Sequence, residues 1–205
     1  MPAADRRRAI LAAALDVFSE RGFHEASLED VAARDGISKA LIYEHFRSKE
    51  DLQRALMETY VHELLERILA STAGAEPGED RLRRGVQAFL GFVEERREAW
   101  RMLFRNLADP EMVEALERLR EEVAAGIAQL MVEDARQRER VDPELEEAAD
   151  VLALQLVGAV QSLANWWNEH PRVSRERVQE LAMDFAWIGL GRLGEGERWR
   201  ATKPA

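Results

Sequence analysis

Apolar side chains recur at spacings of three and four along almost the whole 205-residue chain, and no useful length of it alternates apolar with polar residues. This pattern predicts an all-α protein. Pro110 and Pro143 each follow an aspartate, an arrangement typical of the first residue of a helix. About nine helices are expected, at residues 4–21, 28–35, 39–45, 49–71, 79–96, 98–107, 110–138, 144–170 and 175–193.

The last two predicted helices carry apolar residues around most of their circumference, whereas the helix at 110–138 concentrates them on one face. Two explanations are open: a hairpin buried at the centre of one subunit, or a surface on which two copies associate. On the second explanation the subunit interface of a homodimer would include Val151, Leu154, Val157, Val160, Phe185 and Ile188.

Two segments bear on where the protein resides. Arg6-Arg7-Arg8 and the apolar residues 9–15 loosely imitate a signal peptide, but Asp16 interrupts the run and the helical period continues. Residues 151–168 contain no charge, yet their glutamines and asparagines make them too polar for a membrane span. A helix buried on nearly all sides, in a cytoplasmic protein that does not enter the membrane, is the expectation.

Composition and spacing argue against enzymes and metal proteins. The chain has no cysteine, its four histidines lie far apart, and no catalytic triad stands out. Residues 189–194 match the dinucleotide fingerprint G-x-G-x-x-G, but they end a predicted helix instead of opening one, with Gly194 as its expected C-cap. No enzyme activity, metal or cofactor is therefore expected.

Residues 27–52 carry the most specific signal. Ser27 and Asp30 have the spacing of a capping box, Gly36 suits a tight turn, and Ser38 can cap a second short helix. Ser48 and Asp51 have the spacing of another capping box. Two short helices joined by a glycine-containing turn are typical of a helix-turn-helix.

The side chains of this unit divide by face. Core spacing predicts that Val31, Ile37, Ile42 and Phe46 pack against Leu11, Leu15 and Phe18. The outer face of the second helix would then carry Ser38, Lys39, Ala40, Leu41, Tyr43, Glu44 and His45. A three-helix packing unit with no DNA role would show the same spacing.

That outer face suits DNA. Lys39 can donate to guanine, and Ala40 or Leu41 can contact a thymine methyl group. Hydroxyl, imidazole and ammonium donors suit phosphates, which is the role expected of Ser27, Tyr43, His45 and Lys49. Glu44 would accept from cytosine N4 or point aside.

Residues 36–52, Gly-Ile-Ser-Lys-Ala-Leu-Ile-Tyr-Glu-His-Phe-Arg-Ser-Lys-Glu-Asp-Leu, closely resemble the signature of the tetracycline-repressor (TetR) family, as does the lead-in at 13–23. The resemblance covers about residues 7–55. It implies a helix-turn-helix DNA-binding domain at 1–48, a ligand-binding and dimerisation domain at 49–193 and a loose tail at 194–205. Helices eight and nine would form the four-helix dimer interface.

The resemblance also implies which residues contact DNA. Those positions are Ser27, Ser38, Lys39, Ala40, Leu41, Tyr43, His45 and Lys49. Leu41, Ala40 and Glu44 depart from the residues common in the family, so base preferences are expected to differ.

Aromatic side chains of the C-terminal part could line an apolar ligand cavity with a few polar groups, or could simply form the core. The candidates are Tyr60, His62, Phe89, Phe92, Trp100, Leu103, Phe104, Gln161, Asn165 and Trp166. The family resemblance favours a cavity, and the aromatic residues favour a lipophilic ligand.

The expected function is that of a ligand-responsive repressor which binds a palindromic DNA operator as a homodimer and is released by a small molecule. Two alternatives stay open. One is a helical small-molecule-binding dimer without specific DNA binding, and the other is a DNA-binding regulator that needs no ligand.

Overall fold

The computed structural model describes residues 2–104, 110–137 and 143–194, with side chains omitted at 102–104, 110–112, 115, 143–146 and 190–194. Within these residues every regular element is a helix, as predicted. The described part of the chain contains nine helices: α1 Ala3–Arg21, α2 Leu28–Asp35, α3 Lys39–Tyr43, α4 Lys49–Thr72, α5 Glu79–Glu95, α6 Arg97–Phe104, α7 Pro110–Gln137, α8 Pro143–Glu169 and α9 Arg175–Gly194. The predicted starts at Pro110 and Pro143 are confirmed.

The chain forms two compact units. The first comprises Met1–Glu66 and Glu95–Glu114, and the second comprises Arg67–Glu94 and Ala115–Ala205. These units group residues by contact, so the division into domains 1–48 and 49–193 with a tail at 194–205 stays a prediction.

In the first unit, α1, α2 and α3 enclose a small apolar core. Val31, Ile42 and Phe46 are buried, as predicted, and they share the core with a stripe along α1. Its members are Ile10, Leu11, Ala13, Ala14, Val17 and Phe18. Leu15 and Ile37 were also expected there, but both are only partly buried. Leu15 lies at the edge of the α1 stripe, and Ile37 belongs to the turn after α2.

In the second unit, α7 and α8 meet through small side chains. Ala124 and Ala128 of α7 lie in one buried cluster with Ala149 and Ala153 of α8. Small residues at such contacts let two helix backbones approach closely. A hydrogen bond of 2.7 Å from the Trp167 indole N–H to the Val173 carbonyl closes the corner between α8 and α9.

An ion pair fixes α5 against α7 within the same unit. The Arg81 guanidinium lies 2.5 Å from Asp134 Oδ1, and the Gly78 N–H donates to Asp134 Oδ2 over 2.7 Å. Both side chains are largely buried. Because one carboxylate accepts from the backbone before α5 and from a side chain of α5, it holds the start of that helix on α7.

The expectation that α8 is buried on nearly all sides is wrong for the single chain. Its stretch Glu147–Glu169 is long and apolar enough to cross a membrane by length and composition alone, yet only 22% of its most apolar window is buried. The buried face carries Ala149, Ala153, Leu156, Ala164 and Trp167, whereas Val151 is 57% exposed. The second unit covers one face of this helix, so the apolar residues on the other face meet solvent.

Candidate nucleic-acid interface

The first short helix of the helix-turn-helix, α2, begins with the predicted capping box. Ser27 Oγ accepts from the Asp30 N–H, and Asp30 Oδ2 accepts from both the N–H and the hydroxyl of Ser27 at 2.9 and 2.7 Å. These bonds, together with Arg21, hold the pKa of Asp30 below its usual range. The hydroxyl proton that was expected to reach a phosphate is directed to Asp30 in this structure.

The turn that follows has the predicted geometry. Gly36 takes the left-handed conformation, with φ +66° and ψ +31°, which a residue with a side chain adopts only with strain. The Ile37 N–H then donates to the Ala32 carbonyl over 2.9 Å. Ser38 accepts from the Leu41 N–H and so begins α3. The direction of α3 is therefore set by local hydrogen bonds at both sides of the turn.

The structure gathers the predicted outer-face residues on one accessible surface. Ile42 points into the core, and Tyr43 is 50% exposed. Ser38, Ala40 and Glu44 are exposed as well, while Lys39, Leu41 and His45 are half-buried. We call this surface, residues 38–41 and 43–45, the recognition surface.

Lys39, the predicted donor to guanine, is already paired. Its ammonium contacts the carboxylate of Glu29 on α2 and lies 5.7 Å from the centre of the Tyr43 ring. The hydrogen bond to Glu29 raises the pKa of Lys39, and the same bond lowers the pKa of Glu29. Contact between Lys39 and a base would therefore replace an internal carboxylate.

Lys49 has an internal role that sequence reasoning missed. Its ammonium donates to the carbonyl oxygens of Phe23, His24 and Ala26 at 2.8, 3.2 and 3.0 Å, and it lies 4.5 Å from the centre of the Phe23 ring. An ammonium group has three N–H donors, so this set can use all of them. Backbone carbonyls occur in every residue and leave no mark in a sequence. The phosphate contact of Lys49 stays a prediction.

The predicted capping box at the start of α4 is only half formed. Ser48 Oγ accepts from the Asp51 N–H over 3.1 Å, as expected. The Asp51 carboxylate, however, accepts from the N–H of Arg47 instead of Ser48. The chain turns sharply after Phe46, which brings the earlier N–H within reach.

The residues proposed for a ligand cavity fall in both compact units. In the first unit Trp100 is buried, burial raises the pKa of Tyr60, and His62 is exposed beside Glu66. In the second, Phe92 is buried, and Phe89 and Asn165 are partly buried. Gln161 accepts from Arg120, and Trp166 stacks on His170. The side chains of Leu103 and Phe104 lie outside the described residues. The ligand role of this set stays a prediction.

The described residues contain no cluster of three or more metal-ligating side chains. The glycine motif at 189–194 lies inside α9, so it lacks the strand-to-helix turn that dinucleotide binding requires.

Family models match both parts of the chain. Residues 10–56 match bacterial regulatory proteins of the tetR family, and residues 78–189 match the C-terminal domain described as tetracyclin repressor-like. The chain belongs to the TetR family. Its helix-turn-helix is accordingly that of a DNA-binding transcriptional regulator.

Relatives that match nearly the whole TetR-family chain agree with this. The HTH-type transcriptional activator FasR of Mycolicibacterium smegmatis is 29% identical over 194 residues, which cover 93% of this chain and 85% of FasR. A TetR-like regulator from Rhodococcus sp. RHA1 has a TM-score of 0.74 at 30% identity, covering 93% of this chain and 98% of that one. These relatives are named as regulators and not as enzymes.

A more distant structure shares the fold alone. The fatty acid degradation regulator FadR from Bacillus halodurans has a TM-score of 0.74 at 18% identity, covering 95% of this chain and 97% of that one.

The hydrogen bonds of Lys49 predict a stability effect without DNA. Lys49→Met removes a charged donor from three carbonyls and should lower the free energy of unfolding by about 1–3 kcal/mol. Urea unfolding followed by circular dichroism measures this. Lys39→Met is the control, because it removes one exposed ion pair, worth about 1 kcal/mol or less. Equal effects of the two variants would contradict the internal role of Lys49.

Proposed function

We propose that this TetR-family regulator acts in the cytoplasm as a homodimer that binds a palindromic operator, represses by occupying a promoter and is released by a small lipophilic molecule. The observation that carries the proposal is the recognition surface. It presents polar and apolar side chains from a helix whose ends are fixed by Ser38 and by the buried Phe46.

The recognition surface contains the contact types that DNA reading needs. Lys39 would bind guanine, while Ala40 and Leu41 would contact thymine methyl groups. The remaining proposed contacts would hold phosphates and so fix the register of α3 in the major groove: Ser27, Ser38, Tyr43, His45 and Lys49. Ser27 and Lys49 would have to exchange an internal hydrogen bond for the phosphate.

Selection from a random pool of DNA duplexes tests operator binding. At about 150 mM salt, where non-specific binding is weak, the purified protein should enrich a sequence with two inverted half-sites. The half-sites should be centred about one helical turn, or a multiple of it, apart, because a two-fold dimer places equivalent helices on one DNA face.

No enrichment by a folded dimeric protein would favour the small-molecule-binding alternative. When the enriched sequence is placed in a promoter ahead of a reporter gene, the protein should lower expression of the reporter relative to cells that lack the protein. Increased expression would overturn the repressor role and indicate activation, the activity for which FasR is named.

Association through α8 and α9 is supported by the apolar residues that the single chain leaves exposed. Val151 and Leu154 on α8 and Phe185 and Ile188 on α9 are all exposed, with Phe185 at 71%. Val157 and Val160 are partly buried beside them. Monomeric proteins rarely expose so many large apolar side chains on two packed helices, whereas subunit interfaces require them.

Phe185→Glu should convert the dimer into a monomer, because a carboxylate would be buried without a partner at the interface. Light scattering measures the mass. Leu69→Glu is the matched control, since Leu69 is 65% exposed but lies on α4 and not on α8 or α9. A Phe185→Glu variant that stays dimeric would place the interface elsewhere.

A lipophilic effector is supported by the aromatic character of the candidate residues, of which Trp100 and Phe92 are buried. The structural relative FadR is named for fatty acid degradation, which favours a fatty acyl compound within this class. Binding would release DNA only if the ligand preferred a dimer whose recognition helices no longer match successive major grooves.

Release of the enriched duplex should depend on acyl chain length. A sixteen-carbon fatty acid should release the operator at concentrations where a four-carbon acid does not, because each buried methylene contributes about 0.8 kcal/mol. Fluorescence anisotropy of labelled duplex measures release. If neither acid releases the operator, the fatty acyl class is wrong.

A further inference from the structure

More than half of the basic side chains in residues 1–56 form ion pairs with acidic side chains of the same chain. Residues 1–56 contain nine basic and ten acidic side chains, a net charge of −1. Many of these acidic side chains form ion pairs with the basic ones. The ion pairs are Arg6–Asp35, Arg8–Asp5, Arg21–Asp30, Arg34–Glu20, Arg34–Asp16 and Lys39–Glu29. Because DNA affinity arises largely from phosphate neutralisation, such a surface has few cations left to bind a duplex.

Arg7 and Arg47 are exceptions. Both are exposed, and neither forms an ion pair within the described part of the chain. The guanidinium carbon of Arg7 lies 5.2 Å from the centre of the Phe46 ring. Arg47 follows Phe46 directly, and only its backbone N–H is used, in the bond to Asp51.

Phe46 places these two arginines beside the recognition surface. Its ring is 2% exposed, so it is a fixed point of the core. The same ring lies 6.4 Å from the His45 imidazole, centre to centre. Arg7 on α1 therefore contacts the ring of Phe46, and Arg47 follows Phe46 in the chain. Phe46 itself comes directly after the last residue of the recognition surface, His45.

The guanidinium of each arginine suits an anion, and Arg7 is in addition held over the Phe46 ring. A guanidinium that lies over an aromatic ring keeps the N–H groups of its edge available, and these match the oxygens of a phosphate in pairs. An arginine held by a ring also loses less side-chain entropy on binding than one that is free in solvent.

We propose that Arg7 and Arg47, which we call the Phe46 arginine pair, bind backbone phosphates next to the bases that α3 contacts. The inference rests on the proposed operator binding and adds two phosphate contacts per subunit to it. The pair provides positive charge for DNA binding although the net charge of residues 1–56 is −1.

Four variants test the pair: Arg7→Ala, Arg47→Ala, Arg7→Lys and, as control, Arg8→Ala. Arg8 is the neighbour of Arg7 on α1 and is also exposed, but it pairs with Asp5. Arg8→Ala removes one positive charge per subunit, as Arg7→Ala and Arg47→Ala do. The probe is a 30-base-pair duplex of random sequence, titrated by fluorescence anisotropy between 50 and 300 mM salt, with the enriched duplex in parallel.

In a plot of log affinity against log salt concentration, the slope is steeper by about 0.9 for each phosphate that the protein neutralises. Arg7→Ala and Arg47→Ala should each flatten it by about two for a dimer, and should weaken binding of both duplexes to a similar extent. Arg8→Ala should keep the wild-type slope. Arg7→Lys should keep most of it, because the positive charge stays over the ring.

Slopes for Arg7→Ala and Arg47→Ala that equal the Arg8→Ala slope would overturn the proposal. Arg47→Ala decides this even where the Arg7 substitution destabilises α1, because the Arg47 side chain forms no hydrogen bond, ion pair or ring contact within the described residues. With that outcome the wild-type protein would still bind DNA, so the proposed operator binding would stand without the Phe46 arginine pair. A wild-type protein that binds neither duplex at 50 mM salt would overturn both proposals together.

Discussion

The five-residue helix α3 is far too short to be stable by its own hydrogen bonds, so its direction depends on what it is attached to. Ser38 fixes its beginning, Gly36 turns the chain before it, and Ile42 and Phe46 anchor it in the core. The half-exposed Tyr43 and its neighbours face outward because Ile42 and Phe46 hold the opposite face of the helix in the core. Without the anchors, the recognition surface as a whole would be absent.

The DNA-binding part keeps its charges largely in balance. Glu29 holds Lys39, and Asp30 holds both Ser27 and Arg21. A donor that must leave an internal carboxylate gains little from a random phosphate and gains more where a base offers two well-placed acceptors. On the proposed operator binding, this pairing would lower the general affinity for DNA more than the affinity for a matching sequence. Specificity in this view comes partly from the protein's own anions.

The features that follow from local rules could be predicted from the sequence. Helix starts at Pro110 and Pro143, the Ser27 capping box and the left-handed Gly36 all depend on residues close together in the chain. Interactions over long sequence separations could not be predicted in the same way. Lys49 reaches carbonyls more than twenty residues away, and backbone atoms carry no residue-specific signal.

The sequence indicates which helices carry excess apolar residues, but not which of these residues the chain's own core buries. The pattern of α8 showed an excess of apolar residues, but which of them face the chain's own core depends on the position of the neighbouring helices. Leu15 and Ile37 differed from expectation for the same reason, since each lies at a boundary between core and solvent. The likeness to known regulators follows from residues 36–52, whereas the contacts of single side chains depend on how the helices pack.

Trp166 and Trp167 are adjacent on α8 and point about 100° apart, as neighbours on a helix do. Trp167 is buried with its N–H bonded to Val173, while Trp166 is partly exposed and lies 4.3 Å from the parallel His170 ring. The chain has five tryptophans. Because indole emission shifts with the polarity around the ring, variants that keep only Trp166 or only Trp167 would give two separate optical signals. One reports whether the α8–α9 corner is intact, and the other reports what arrives at the outer surface of α8.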